Sequence, residues 1–267
     1  MIQLPAACRS VWSSILFLVL AVCALVAVAC PKTSERLLPL TRRRARWLRL
    51  WSSRLQSIIG LEVESRGRPP TRGMLVCNHL SYLDMLALTS AGEMVFLSKI
   101  EVGGWPLIGQ IARASGALFV NRSRRGDVAD IEPEFVEVIE QGVVLTMFPE
   151  GTSSGGDRVL PFLSSLLAPA AERGWPVTPA WIGYSLEDGS VENEVAYWLD
   201  MIFLPHFLNL LGKRRIKAVI HFGEPRVNPN RKALARELHS AVRALALPFN
   251  ERFQVIPLSE SRSQTAL

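Results

Sequence analysis

The chain has 267 residues, of which 49% are hydrophobic, with a formal charge of +6 and a mean hydropathy of +0.20. That length suits one large α/β domain with an appendage, and the basic, apolar balance points to either nucleic acid or an anionic lipid surface. The four cysteines, at 8, 23, 30 and 77, form no CxxC pair, which argues against a disulfide framework or a zinc site.

Val11 to Cys30 carries no charge and is long enough to cross a bilayer core of about 30 Å. Arg9 precedes it, whereas Lys32, Arg36, Arg42, Arg43, Arg44, Arg46 and Arg49 follow it. Positive charge accumulates on the cytoplasmic side, so a single-pass N-terminal anchor would leave the rest of the chain on the cytoplasmic face of a membrane. The competing reading is a cleaved signal peptide, with Ala27-Val28-Ala29 as the cleavage site. The single charge before the segment and the basic flank after it oppose export.

Residues 40–59 read as an amphipathic helix with Leu48, Trp51, Leu55 and Ile58 at helical spacing, widened by Trp47 and Ile59. Its arginines and tryptophans suit a headgroup layer. An ordinary surface helix packed on the domain is the alternative. Basic residues interleaved with a nucleic-acid-binding motif are not visible, so anionic membrane lipid is the expected partner and nucleic acid is not.

The globular body is expected at 60–257, with a disordered tail at 258–267. Leu61–Glu64 is a short strand, and Met74-Leu75-Val76 ends a buried one. Asn78, His79 and Ser81 then break the apolar run, before Leu83, Met85, Leu86 and Leu88 resume at near-helical spacing. On an ideal helix, positions five apart diverge by roughly 140°. His79 can therefore meet Asp84 only from the loop before the helix, with Ser81 as the N-cap. A carboxylate on one ring nitrogen would leave the other free as a base.

Further strands fall at Met94–Leu97, Leu118–Val120, Val143–Phe148, Trp175–Ile182 and Ile216–Phe222. Helices fall at Trp105–Ala114, Val128–Gln141 and Arg231–Ala244. Alternating strands and helices give an α/β fold, a mostly parallel sheet flanked by helices, with the membrane-anchoring helical segment at 1–59. The apolar segment Tyr197–Leu211 is either a core helix or a membrane-dipping element. After the strand ending at Phe148 comes Pro149-Glu150-Gly151-Thr152-Ser153-Ser154-Gly155-Gly156. This loop and the His79 turn both leave the carboxyl edge of the sheet and can converge, and its glycines would admit backbone amides to an anion.

Asn78-His79-x4-Asp84 followed by Phe148-Pro149-Glu150-Gly151-Thr152 resembles the glycerolipid acyltransferase family, typified by the 1-acylglycerol-3-phosphate acyltransferases. Gly116-Ala117-Leu118-Phe119-Val120-Asn121-Arg122 is similar to its second block and Val177-Thr178-Pro179-Ala180 to its fourth. Lys99, with Trp105, Pro106 and Gly109 after it, stands where the family places a basic residue. The resemblance spans roughly 60–225. It implies His79 as general base and Asp84 as its orienting partner, with Asn78 and Ser81 in support. Lys99, Arg122, Glu150, Gly151 and Thr152 would bind the acceptor. It further implies acyl transfer from an acyl carrier protein or coenzyme A thioester to a lysolipid hydroxyl, with no cofactor and no metal. Lysophosphatidate is the first acceptor, with lyso-ornithine lipid close behind: Ser153 stands where many phosphate-using members have Arg, and relatives that acylate lyso-ornithine lipids share such a Thr/Ser-rich loop ending in Val-Leu-Pro-Phe, here Val159 to Phe162. Arg158 is a possible substitute.

Two other classes remain. Gly151-Thr152-Ser153-Ser154-Gly155 matches the G-x-S-x-G elbow of an α/β-hydrolase, with Asp188 or Asp200 and His221 or His239 as further triad members. The residues after Gly155 do not open a helix, and no oxyanion loop of the HGGG type precedes it. The other class is a non-catalytic lipid-binding protein, which the intact His79, Asp84 and Glu150 oppose.

Overall fold

The computed structural model describes residues 11, 12, 14–16, 18, 19, 22, 23, 38–105, 108–121, 130–187 and 189–247. Among these residues, no helix is long and apolar enough to cross a membrane. The span expected at 11–30 falls largely outside the described residues, as do the expected tail at 258–267 and Arg122.

Helix α1 (Leu40–Ile59) leads into β1 (Leu61–Arg66), followed by β2 (Met74–Cys77) and the short α2 (Leu83–Leu88). Then come β3 (Met94–Lys99), α3 (Ile108–Ala114), β4 (Leu118–Val120), α4 (Glu132–Glu140) and β5 (Val144–Met147). The second half runs α5 (Ala168–Arg173), β6 (Val177–Leu186), α6 (Val191–Glu194), α7 (Phe203–Leu211), β7 (Ile216–Phe222) and α8 (Arg231–Ala246). The strands form a seven-stranded sheet in the order β1-β7-β6-β2-β5-β3-β4. Every pairing is parallel except β6 with β7.

The central strands β2 and β5 are buried at every position, as strands covered on both faces must be. Strand alternation then splits their side chains between two cores. Leu75 and Cys77 join the core under α2 and α7, with Leu83, Leu88, Phe207 and Leu210. Met74, Val76, Leu145 and Met147 join the core under α4, α5 and α8, with Phe135, Ala170 and Leu238. Asn230 starts α8 by accepting from the Lys232 and Ala233 amides at 3.0 and 3.1 Å, a side-chain N-cap.

Helix α1 is packed on the body as well as amphipathic. Ala45, Trp47, Ser52 and Ile59 are buried, Gln56 donates to the Leu86 carbonyl at 2.6 Å, and Arg42 pairs with Glu93 at 3.2 Å. Residues Ile100–Gly104 form a tighter 3₁₀ turn, and helix α3 follows, described over Ile108–Ala114, with the Gly109 amide donating to the Trp105 carbonyl at 2.9 Å. Strand β6 runs four residues past Ile182, since β7 pairs with it as far as Leu186.

Candidate active site

Strands β2, β3, β4 and β5 point the same way, so their carboxyl ends share one edge of the sheet. His79 follows β2, Lys99 ends β3, Asn121 follows β4, and the Phe148–Gly156 loop follows β5. Open parallel sheets place their ligands at this edge.

The His79 turn is built around Asp84, the second residue of α2. Asp84 is fully buried. Its Oδ2 accepts from His79 Nδ1 at 2.8 Å, Leu80 N at 2.7 Å and Ser81 N at 3.1 Å. Its Oδ1 accepts from the Tyr184 hydroxyl at 2.7 Å. A carboxylate out of water needs such donors to offset its lost hydration. The contact places the imidazole proton on Nδ1 and leaves the Nε2 lone pair free. The His79 side chain keeps 23% of its surface exposed, so the ring is not sealed from a ligand.

Ser81 does not act as the expected N-cap. The residue before α2 is Tyr82, no side chain caps the helix, and the buried Ser81 hydroxyl has no hydrogen-bond partner among the described residues. Asp84 does the work from inside the helix by reaching back to the Leu80 and Ser81 amides. Asn78 is structural glue in the plane of the sheet. Its Nδ2 donates to the Ile182 carbonyl at 2.9 Å, and its Oδ1 accepts from the Ile182 amide at 2.8 Å, extending the β2–β6 ladder with a side chain.

The loop after β5 closes over this turn. The His79 ring stacks on Phe148, and the Ser154 amide donates to the His79 carbonyl at 2.9 Å. Gly151 turns the chain with φ +78° and donates its amide to the Phe148 carbonyl at 3.2 Å; a side chain would be strained at that φ. Thr152 and Lys99 are exposed at the rim. Gly155 serves packing, not anion approach, since a Cβ there would lie 2.8 Å from Trp198 Cζ2 and 3.0 Å from Glu192 Cγ.

Glu150 is buried. Its Oε1 accepts from Leu160 N at 3.2 Å, while Oε2 has no partner of hydrogen-bonding geometry among the described residues. Burial pushes its carboxyl up to about 8; the nearby Leu160 and His79 amides pull it down, and the Asp84 charge adds to the rise. At neutral pH it is largely a neutral acid that can donate as well as accept a hydrogen bond. Burial and the Asp84 charge likewise raise the Tyr184 phenol, keeping it a donor.

Ser153 is not set up as a nucleophile. Its hydroxyl donates to the Tyr197 carbonyl, and the residues after Gly155 form no helix. His239 Nε2 faces the Val159 carbonyl at 3.3 Å and His221 Nδ1 the Leu245 carbonyl at 3.3 Å, so neither serves Ser153 through those nitrogens. His206 is a buried connector between the Tyr82 hydroxyl and the Ala196 carbonyl, at 2.9 and 3.0 Å. Burial lowers its proton affinity, against the pull of that carbonyl. Arg158 is exposed and 3.8 Å from an equally exposed Asp157.

Tyr184 and Phe148 are the two site residues that sequence reasoning left without a role. The signal for Tyr184 lay in the period of β6: Ala180, Ile182 and Tyr184 point into the core beneath α2, and only the last carries a hydroxyl.

Residues 61–183 match the family model described as Acyltransferase. A lyso-ornithine lipid O-acyltransferase of Pseudomonas aeruginosa is 36% identical over 77% of this chain and 79% of its own length. A 1-acyl-sn-glycerol-3-phosphate acyltransferase of Neisseria gonorrhoeae is 28% identical over 70% of this chain and 74% of its own. The crystal structure of the 1-acyl-sn-glycerophosphate (LPA) acyltransferase PlsC from Thermotoga maritima superposes with a TM-score of 0.67 at 18% identity, covering 91% of this chain and 95% of that one. That likeness is one of fold.

Proposed function

The chain belongs to the acyltransferase family, and on that premise we propose that it moves a fatty acyl group from a thioester to the hydroxyl of a lysolipid, with His79 as general base. The observation that carries this reading is the 2.8 Å contact between Nδ1 of the partly exposed His79 and the buried Asp84. Nε2 would take the proton of the acceptor hydroxyl as its oxygen attacks the thioester carbonyl. The tetrahedral intermediate then collapses, expelling the thiolate, which takes the proton back from the imidazolium. A positioned base contributes about 10²–10⁴-fold, and Asp84 stabilises the imidazolium formed.

Direct transfer without an acyl-enzyme agrees with the surroundings. The Ser153 hydroxyl is held by Tyr197, and Cys77 is buried with its thiol pushed up by burial and by the Asp84 and Glu150 charges. Glu150, Gly151, Thr152 and Lys99 would receive the acceptor head group, joined by Arg122. Acyl carrier protein or coenzyme A would bring the acyl chain, and no cofactor is required.

For the acceptor we place lyso-ornithine lipid first. Ser153 occupies the position of a phosphate-binding arginine, and its hydroxyl is already committed. The relative bearing the lyso-ornithine name is also the more similar of the two reported, at 36% identity. Lysophosphatidate stays as the second acceptor, supported by the 28% identical relative. The enzyme would work on a membrane, held by the apolar segment at 11–30 with the catalytic body on the cytoplasmic face. Leu199, Ile202, Leu204 and Leu208, exposed beside Tyr197 and Phe203, would add a second lipid contact.

The test is acyl transfer by the purified full chain in detergent, with labelled acyl carrier protein and coenzyme A thioesters and both acceptors. Esterification of lyso-ornithine lipid is expected. Transfer to lysophosphatidate alone would reverse the acceptor order, and hydrolysis lost on Ser153→Ala would overturn the class.

A further inference from the structure

We propose that Tyr184 is a positioning residue that sets the proton affinity of His79 by holding the far oxygen of Asp84. The proposal rests on the base assignment made above. Tyr184 sits on β6, about a hundred positions from Asp84 in the chain, fully within the core. Its ring fills space among apolar neighbours, a task phenylalanine would do as well. The hydroxyl is the part that needs another reason, because burying an unpaired one costs stability.

Its partner supplies that reason. Asp84 Oδ2 is saturated by His79, Leu80 and Ser81, while Tyr184 is the donor to Oδ1. The hydroxyl therefore draws off part of the carboxylate charge that otherwise acts on His79. Hydrogen bonds to a charged group are stronger than neutral ones, so the two donors compete for one charge. Remove the tyrosine hydroxyl, and more of that charge falls on the imidazolium. His79 then holds its proton more tightly, which makes it a stronger base but leaves less of it free at a given acidic pH.

Among the described residues, Cys77 from β2 and Glu150 from the loop after β5 also feel the Asp84 charge. The Cys77 thiol is raised by burial, and the Glu150 carboxyl changes charge near pH 8. Both therefore act on the neutral-to-alkaline side, and the ring signal of His79 is read directly so that neither is mistaken for it.

The experiment is a histidine-ring NMR titration of the full chain in detergent, with His79→Ala identifying the His79 signal among the four histidines. Wild type is compared with Tyr184→Phe, and with the chain carrying a fluorinated tyrosine at 184, whose phenol is a stronger donor. The Phe variant should move the His79 midpoint up by about half a pH unit or more, roughly threefold in proton affinity. The fluorinated chain should move it down. The acid limb of kcat/KM should follow both shifts, which a packing role would not produce. Coincident midpoints, or a downward shift in Tyr184→Phe, would overturn the proposal. Should the Phe variant fail to fold, the fluorinated chain still decides by the sign of its shift. The ring titration needs no turnover, so a wild type that transfers no acyl group would sink the acyltransfer mechanism while leaving this coupling independently decided.

Discussion

The imidazole of His79 lies flat against the ring of Phe148, with centroids 4.1 Å apart and 14° between the planes. One ring belongs to the turn after β2 and the other to the loop after β5, so two distant sequence blocks meet as a single surface. Phe148 restricts the tilt of the imidazole, while Asp84 fixes its rotation and tautomer. The imidazole is thus oriented before any substrate arrives, the condition under which the base catalysis proposed for it would be most effective.

Asp84→Asn keeps the size of the side chain and removes its charge. The single amide oxygen can still take the place of Oδ2 as acceptor, but it no longer stabilises an imidazolium. Acyl transfer should fall by roughly 10²–10⁴-fold, with KM for the acceptor little changed. Steady-state kinetics of the purified variant check this.

Glu150 makes stability depend on pH. Its folded-state value of about 8 lies above the ordinary 4.5, so between these values the native chain holds a proton that the unfolded chain has released. That contribution is fully present below about pH 4.5, is lost as pH rises through about 8, and then stays level. Glu150→Gln has no such proton to lose. Thermal melts should show the variant gaining on wild type from about pH 5 to about pH 9, and parallel curves would contradict the burial argument.

Gly155→Ala forces a methyl against Trp198 and Glu192. Overpacking of this kind costs about 1–3 kcal/mol, and the loop can relieve it by moving away from the neighbouring Ser153–Tyr197 contact. Activity should therefore drop further than a small fall in Tm would suggest. Paired melting and transfer assays measure both.

The apolar residues ahead of and along α7 predict a dependence on the lipid surface. Leu199, Ile202 and Leu204 are 81%, 72% and 61% exposed, and Leu199 holds an unusual φ of +51°. Burying one such side chain in lipid is worth about 1.5–3 kcal/mol. Ile202→Asp with Leu204→Asp should therefore lower transfer to a bilayer-embedded acceptor by about tenfold or more. A short-chain acceptor free in solution should be used as before, with Tm unchanged.

Much of this site was legible before any coordinates. The divergence of positions five apart on a helix required His79 to precede α2, and the structure puts it there. Val143–Phe148 read as a buried central strand because it is apolar throughout, and β5 lies in mid-sheet. What stayed hidden depended on tertiary pairing. Nothing local in Ile216–Phe222 reveals that β7 runs against β6, or that its pairing draws β6 out to Tyr184 and Leu186. Ser81 looked like a cap because serine is a common one; the backward reach of Asp84 took its place. The unpartnered oxygen of Glu150 is likewise a property of the packed loop, not of the Glu-Gly-Thr run.

The most direct measurement is single-turnover acyl transfer by wild type and His79→Ala, each preparation checked for an unchanged melting profile. The account predicts rapid ester formation in the wild type and a loss of at least about 10²-fold in the variant. A folded His79→Ala chain that transfers as fast as wild type would contradict it, and the base would have to be sought elsewhere along the sheet edge.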